Sequence, residues 1–113
     1  MIRASCHCGA IHFELDSPPG DVNSCNCSIC RRYGTLWAYY QRRQVRFDVE
    51  IGGTESYSWG DGDLEFHRCR VCGCIIYWMA VDRTYERMGI NARLLPPEVL
   101  ADIPVRYSDG ASM

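Results

Sequence analysis

The chain has 113 residues and a mass of 12.9 kDa, the size of a single domain spanning residues 1–113, so a multi-domain protein is excluded. Its hydrophobic fraction of 47% and charged fraction of 23% are those of an ordinary globular protein and exclude a disordered chain. The formal net charge of −2 disfavours a nucleic-acid partner, because phosphate recognition needs a basic surface.

Most of the predicted elements are β-strands. Residues 10–15 alternate, with Ile11, Phe13 and Leu15 on one face and His12 on the solvated face. Residues 16–20 contain two prolines and a glycine, which predict a loop. Residues 36–40 and 45–49 are rich in aromatic and β-branched residues, which favours two further strands.

The second half of the chain continues this pattern. Residues 54–59 and 64–68 flank a Gly-Asp-Gly turn and are predicted to form a hairpin. The apolar run 75–81 is typical of a strand buried on both faces, and residues 87–91 are predicted to pair beside it. Only residues 28–33 and 97–101 favour short helical turns, so the sequence predicts a mainly β fold.

Cysteine is the unusual component of the sequence, with eight residues in three short clusters. The N-terminus has no apolar run of signal-peptide length, and no stretch of about 18 apolar residues occurs. We therefore expect a cytoplasmic protein without a membrane partner. In a reducing cytosol, clustered cysteines hold metal more often than they form disulfides.

The first and last clusters have the spacing of two zinc knuckles. Each has two cysteines separated by one or two residues and followed by a glycine, which suits a tight turn, and zinc prefers four such ligands in a tetrahedron. We predict one closed, structural zinc site that ties the first strands to later ones. Its ligands are Cys6, Cys8, Cys69 and Cys72.

The middle cluster supplies the three thiols of Cys25, Cys27 and Cys30 and has no fourth ligand near it in sequence. Structural zinc sites are closed by four protein ligands, whereas catalytic sites keep three and an open position. A helical turn at residues 28–33 would aim N–H groups at these thiols and lower their pKa. The cluster is therefore the predicted catalytic zinc site.

Other interpretations of these residues stay open at this point. The cysteines would form disulfides in an oxidising compartment, the middle cluster could be merely buried, or a distant histidine or carboxylate could close it. His7 and His67 adjoin the knuckles but compete with cysteines for each position. Cys74 is left out, because strand alternation points it away from a metal held by Cys72. Arg31 and Arg32 are candidates for binding a substrate carboxylate or are simply solvated.

Three motifs together resemble one known family, and they cover roughly residues 3 to 108. They read Ser-Cys-His-Cys-Gly-Ala, Cys-Asn-Cys-Ser-Ile-Cys-Arg-Arg and Phe-His-Arg-Cys-Arg-Val-Cys-Gly-Cys. The sequence is similar to the glutathione-dependent formaldehyde-activating family, also called the centromere protein V/Gfa family. The resemblance implies a β-tent fold, with small sheets bridged by a structural zinc at Cys6, Cys8, Cys69 and Cys72, and a catalytic zinc at Cys25, Cys27 and Cys30.

The resemblance also implies an activity, the reversible addition of glutathione to formaldehyde, which is a carbon–sulfur lyase reaction. Two features differ from the family pattern: the chain is shorter than the founding enzymes, and Asn26 stands where many members carry histidine. The first hypothesis is therefore a zinc-dependent carbon–sulfur lyase with two Zn²⁺ per chain and a small thiol substrate such as glutathione. The alternative is a non-catalytic zinc module for protein or nucleic-acid interaction. A homodimer is compatible with either, because small β domains often cover sheet edges in this way.

Overall fold

The computed structural model describes residues 1–49 and 53–112 and has a mainly β fold, as predicted. In the described ranges there are ten strands and two short α-helices. The strands are β1 Ile2–Ser5, β2 Ile11–Leu15, β3 Val22–Cys25, β4 Trp37–Gln41, β5 Val45–Val49, β6 Thr54–Tyr57, β7 Leu64–Cys69, β8 Ile75–Ala80, β9 Arg87–Asn91 and β10 Val105–Ser108; the helices are α1 Ser28–Tyr33 and α2 Pro97–Leu100.

A small antiparallel sheet has the strand order β1-β2-β5. In its central row Phe13 lies opposite Ala4 on one side and Phe47 on the other. The alternation predicted for β2 is confirmed, because Ile11, Phe13 and Leu15 are buried and His12 is exposed. This strand therefore turns one apolar face toward the core.

A larger sheet of seven strands has the order β10-β3-β4-β9-β8-β7-β6. The predicted hairpin is confirmed as β6 and β7, and β9 pairs with β8 as expected. The outermost pair is different, because β10 runs parallel to β3 and places Ser108 opposite Cys25. Strands β1, β3 and β10 were not predicted, since each has only four residues and no clear alternation.

Strand β8 corrects one prediction. Residues 75–81 were expected to be buried on both faces, but the strand ends at Ala80 and alternates between half-buried and buried residues. A register irregularity between His67 and Arg68 of β7 adds a residue opposite them in β8. On the half-buried face, the ring of Phe47 in the small sheet lies against Tyr77, with 4.7 Å between the ring centroids.

A second hydrophobic cluster lies under helix α1 and positions the cysteines of that region. Trp37, Phe66 and Trp78 are buried there together with Ile29 and Cys30 of the helix. The rings of Trp37 and Phe66 contact each other at an angle, with 6.1 Å between their centroids. In the described part of the chain, no helix has the length and apolar character needed to cross a membrane.

Candidate metal centres

Four cysteines from two distant loops converge on one point. Cys6 and Cys8 lie between β1 and β2 of the small sheet, and Cys69 and Cys72 lie at the end of β7 and in the following turn of the large sheet. All four sulfur atoms lie within 4.8 Å of one another, and Cys8 Sγ is 3.6 Å from both Cys6 Sγ and Cys69 Sγ. The four-cysteine group therefore bridges the two sheets.

Backbone geometry explains why each pair of thiols points the same way. Gly9 and Gly73 follow the second cysteine of each pair and adopt φ values of +81° and +80°, a region that favours glycine. Their amides close tight turns by donating to the carbonyl oxygens of Cys6 and Cys69, at 3.2 Å and 3.0 Å. The glycine signal found in the sequence thus marks two tight turns, of which the second is one residue longer than the first.

The four thiols cannot all ionise easily without a cation between them. Burial opposes ionisation of Cys72, but the N–H groups of Cys74 and Cys8 lower its pKa to about 5. The N–H of Ala10 lowers the pKa of Cys8, yet burial and the three neighbouring sulfurs raise it to about 12. A set of four soft sulfur ligands with this conflict fits a Zn²⁺ ion, which deprotonates the thiols it binds.

Cys74 lies outside the group of four, but it contacts one of its members. Burial raises the pKa of the Cys74 thiol, and a hydrogen bond to Cys72 raises this pKa further. The backbone N–H of His7 acts in the opposite direction. The leftover thiol therefore lies beside the group, where it can donate to the Cys72 sulfur. The side chains of His7 and His67 do not belong to the group; His67 instead bonds to Thr54 Oγ1 at 2.8 Å.

The second group consists of three cysteines at the start of α1. Cys25 ends β3, Cys27 is the N-cap of the helix, and Cys30 lies in the helix on its buried side. Their sulfur atoms also lie within 4.8 Å of one another, and among residues 1–49 and 53–112 no histidine, carboxylate or further cysteine completes the group. The three-cysteine group thus has the donor set expected of an open site.

Each thiol of this group receives an N–H hydrogen bond. The amide of Cys27 donates to Cys25 Sγ and the amide of Cys30 donates to Cys27 Sγ, both at 3.5 Å. The indole Nε1–H of Trp37 donates to Cys30 Sγ at 3.3 Å. These donors orient the sulfurs and favour thiolates, and they are the kind of supporting contact that tunes a metal site.

Burial works against ionisation of two of these thiols, Cys30 and Cys25. Burial raises the pKa of the Cys30 thiol to about 12. The indole N–H of Trp37 lowers this pKa, whereas the sulfurs of Cys27 and Cys25 raise it. Burial also opposes ionisation of Cys25, but the N–H of Cys27 and the hydroxyl of Ser108 lower its pKa. A cation at the centre of the group would resolve this conflict, so the residues fit a bound Zn²⁺ ion.

The two arginines that follow this group have different surroundings in the structure. Arg31 and Arg32 are both exposed, but only Arg32 lines a pocket of about 270 Å³ beside the helix, with its guanidinium held by the carbonyl oxygen of Ser28 at 2.7 Å. The other pocket residues are Ser28, Ile29, Tyr33, Tyr57 and Trp59. The contacts of Trp37 with Cys30 and of Ser108 with Cys25 were not predicted from the sequence. The only signal for the Trp37 contact was that a buried indole N–H needs a hydrogen-bond acceptor.

The chain resembles known proteins at the level of family, sequence and structure. A profile of the glutathione-dependent formaldehyde-activating enzyme family matches residues 1–101. A Halomonas elongata protein, named provisionally as a glutathione-dependent formaldehyde-activating enzyme, is 52% identical over 33 residues; this stretch covers 28% of the present chain and 21% of that protein. A crystal structure of a Rhodobacter sphaeroides protein superposes with a TM-score of 0.73 and 28% identity, covering 93% of this chain and 100% of the other. Because the profile spans most of its length, the chain belongs to the glutathione-dependent formaldehyde-activating enzyme family.

Proposed function

We propose that the protein is a zinc-dependent carbon–sulfur lyase of the S-(hydroxymethyl)glutathione synthase type. The observation that carries the proposal is the difference between the two cysteine groups, since four sulfurs converge in one and three in the other. We assign a structural zinc to Cys6, Cys8, Cys69 and Cys72 and a catalytic zinc to Cys25, Cys27 and Cys30. The proposal includes two Zn²⁺ per chain and a cytoplasmic location.

The proposed reaction is a balanced addition. The sulfur of a thiol such as glutathione forms a bond to the carbonyl carbon of formaldehyde, the carbonyl electron pair moves to oxygen, and that oxygen takes the proton lost by the thiol. The reverse reaction breaks the same carbon–sulfur bond. Zinc, when bound, supplies Lewis acidity and stabilises a thiolate at neutral pH. The chain's part is to hold Cys25, Cys27 and Cys30 in position through the N–H donors described above.

The pocket beside α1 supports a thiol that carries a carboxylate. The guanidinium of Arg32 offers paired donors that suit a carboxylate, while Tyr57 and Trp59 supply aromatic walls. Arg31, the preceding residue, is also exposed but does not line this pocket. We therefore assign the substrate carboxylate to Arg32 first, with Arg31 adding positive charge near it.

The test is exchange NMR on the zinc-loaded protein mixed with glutathione and formaldehyde. We expect interconversion of glutathione and its hydroxymethyl adduct to be faster than the uncatalysed rate. Cys30→Ser should abolish this acceleration, whereas the matched variant Cys74→Ser, outside both groups, should retain it. No acceleration by a protein that holds two zinc ions per chain would overturn the proposal.

A further inference from the structure

The turn that follows strand β10 lies directly against the three-cysteine group. A Cβ atom placed on Gly110 would be 2.7 Å from Cys25 Sγ and 2.9 Å from Cys27 Cβ, closer than any side-chain carbon normally approaches. The backbone of Gly110 is therefore in van der Waals contact with two of the three candidate ligands. Any larger residue at this position would displace either the turn or the cysteines.

Asn26, between Cys25 and Cys27, holds this turn in place with three hydrogen bonds. Its backbone N–H donates to the carbonyl oxygen of Ser108 at 3.2 Å. Its side-chain amide donates to Asp109 Oδ1 at 3.0 Å and accepts from the backbone N–H of Ala111 at 3.0 Å. Asn26 thus binds both ends of the turn around Gly110.

Polar contacts, rather than burial, keep this part of the chain against the site. Strand β10 is mostly exposed, with Tyr107 at 81% and Val105 at 38% of their accessible surface. It is attached to β3 by parallel pairing and by the ion pair of Arg106 with Asp21, at 2.7 Å. Because little apolar surface anchors residues 108–111, the hydrogen bonds of Asn26 should control their position.

We propose that residues 108–111 form one wall of the three-cysteine site and limit the size of the molecules that reach Cys25 and Cys27. Asn26 is then a positioning residue, and Gly110 sets the clearance above the sulfurs. The wall lies beyond residues 1–101, the part of the chain that matches the family profile. The inference deepens the proposed function by naming what restricts its substrate, and it rests on that function only for the identity of the thiol.

The test compares alkylation of the zinc-loaded protein by a small reagent, iodoacetamide, and a bulky one, fluorescein maleimide. Mass spectrometry assigns the rate to each cysteine. In Asn26→Ala the bulky-to-small rate ratio at Cys25 and Cys27 should rise on the order of tenfold, the effect of losing two modest hydrogen bonds. The ratio at Cys8, which is exposed in the other group, should not change.

Gly110→Ala tests the same wall without touching Asn26. The added methyl group has no room, so the turn should be lifted and the ratio at Cys25 and Cys27 should rise again. The matched control is Gly20→Ala, whose added Cβ meets no atom within 4 Å and which should behave like the unmodified protein. An unchanged ratio in both variants, or an equal rise at Cys8, overturns the wall.

These measurements need no lyase activity, so the two proposals fail separately. If exchange NMR shows no acceleration but the alkylation ratio rises only at the three-cysteine group, the wall stands and the glutathione reaction does not. If the protein accelerates the reaction but the ratio stays constant, the lyase stands and the wall is wrong.

Discussion

The indole Nε1–H of Trp37 donates to the sulfur of Cys30 across 3.3 Å in the core beneath helix α1. Trp37 is 2% exposed, so its N–H cannot turn to water and would be unpaired without this sulfur. Cys30 in turn is held on the buried side of a six-residue helix. The packing of β4 is therefore coupled to the position of one candidate zinc ligand.

Trp37→Phe should weaken metal binding at the three-cysteine group. The substitution removes the donor to Cys30 Sγ, and loss of a supporting hydrogen bond of this kind typically costs about 10- to 100-fold in metal affinity. Zinc affinity measured by competition with a chromogenic chelator should therefore fall by at least about tenfold for one of the two zinc ions, with the other unaffected.

Trp78→Phe is the matched control for that substitution. Trp78 belongs to the same buried cluster but donates no hydrogen bond to a cysteine in the described structure. The control therefore changes the same volume without changing the sulfur's donor. Equal losses of affinity in the two variants would show that packing, and not the hydrogen bond, governs the site.

The two cysteine groups should respond differently to loss of one ligand. Cys30→Ser should leave one zinc ion per chain and a folded protein, because the three-cysteine group lies within one short stretch of the sequence. Cys69→Ser should lose zinc and unfold, because Cys69 is 1% exposed and its group joins the two sheets. Elemental analysis and circular dichroism of the purified variants measure both effects; a folded Cys69→Ser protein would contradict the structural assignment.

The cysteine groupings could be predicted because their signals are local. Two thiols separated by one or two residues already share a turn, and the glycines at 9 and 73 mark the turns that the structure contains. Helix α1 was predicted with its observed bounds for the same reason. Only the joining of residues 6–8 to residues 69–72 required knowledge of zinc's preference for four ligands.

The wall over Cys25 could not be predicted in this way. It depends on a parallel pair between β3 and β10, which lie about 80 residues apart, and β10 is a four-residue, largely exposed strand with no periodic signal. Gly110 is not unusual in its own neighbourhood, and Asn26 stood out only because many members of the similar family carry histidine there. Their contact exists only because the strand pairing brings Ser108 beside Cys25.

Gly89→Ala should destabilise the protein more than Gly110→Ala or Gly20→Ala. Gly89 lies opposite Trp78 in the centre of the large sheet, and an added Cβ would be 2.0 Å from the Trp78 Nε1 atom. Overpacking of a buried position costs about 1–3 kcal/mol. The free energy of unfolding from urea titration should fall by this amount, whereas Gly20→Ala should leave it nearly unchanged.

The cause can be checked by making room for the methyl group. Trp78→Val removes the ring atoms Nε1, Cδ1 and Cε2 that the new Cβ would meet. Adding Gly89→Ala to Trp78→Val should therefore cost less than adding it to the unmodified protein, a coupling that a double-mutant cycle measures. Strictly additive losses would show that the contact with Trp78 is not the source of the destabilisation.

The turn between β8 and β9 should make a pH-dependent contribution to stability. Asp82 Oδ1 accepts hydrogen bonds from Thr84 Oγ1 at 2.7 Å and from the Thr84 N–H at 2.9 Å, and these donors lower the pKa of the carboxyl group. A carboxylate whose pKa is lowered on folding stabilises the protein above its unfolded pKa of about 4, and this contribution disappears as pH falls through the folded value. The urea midpoint of Asp82→Ala should thus lie below that of the unmodified protein near pH 7, with the gap narrowing below about pH 4. Thr84→Val removes the hydroxyl, the strongest of these donors. In the Thr84→Val background, adding Asp82→Ala should therefore lower the urea midpoint by less, and this difference should depend less on pH. If Asp82→Ala lowers the midpoint equally in both backgrounds at every pH, the hydrogen bond to Thr84 Oγ1 is excluded as the origin of the effect.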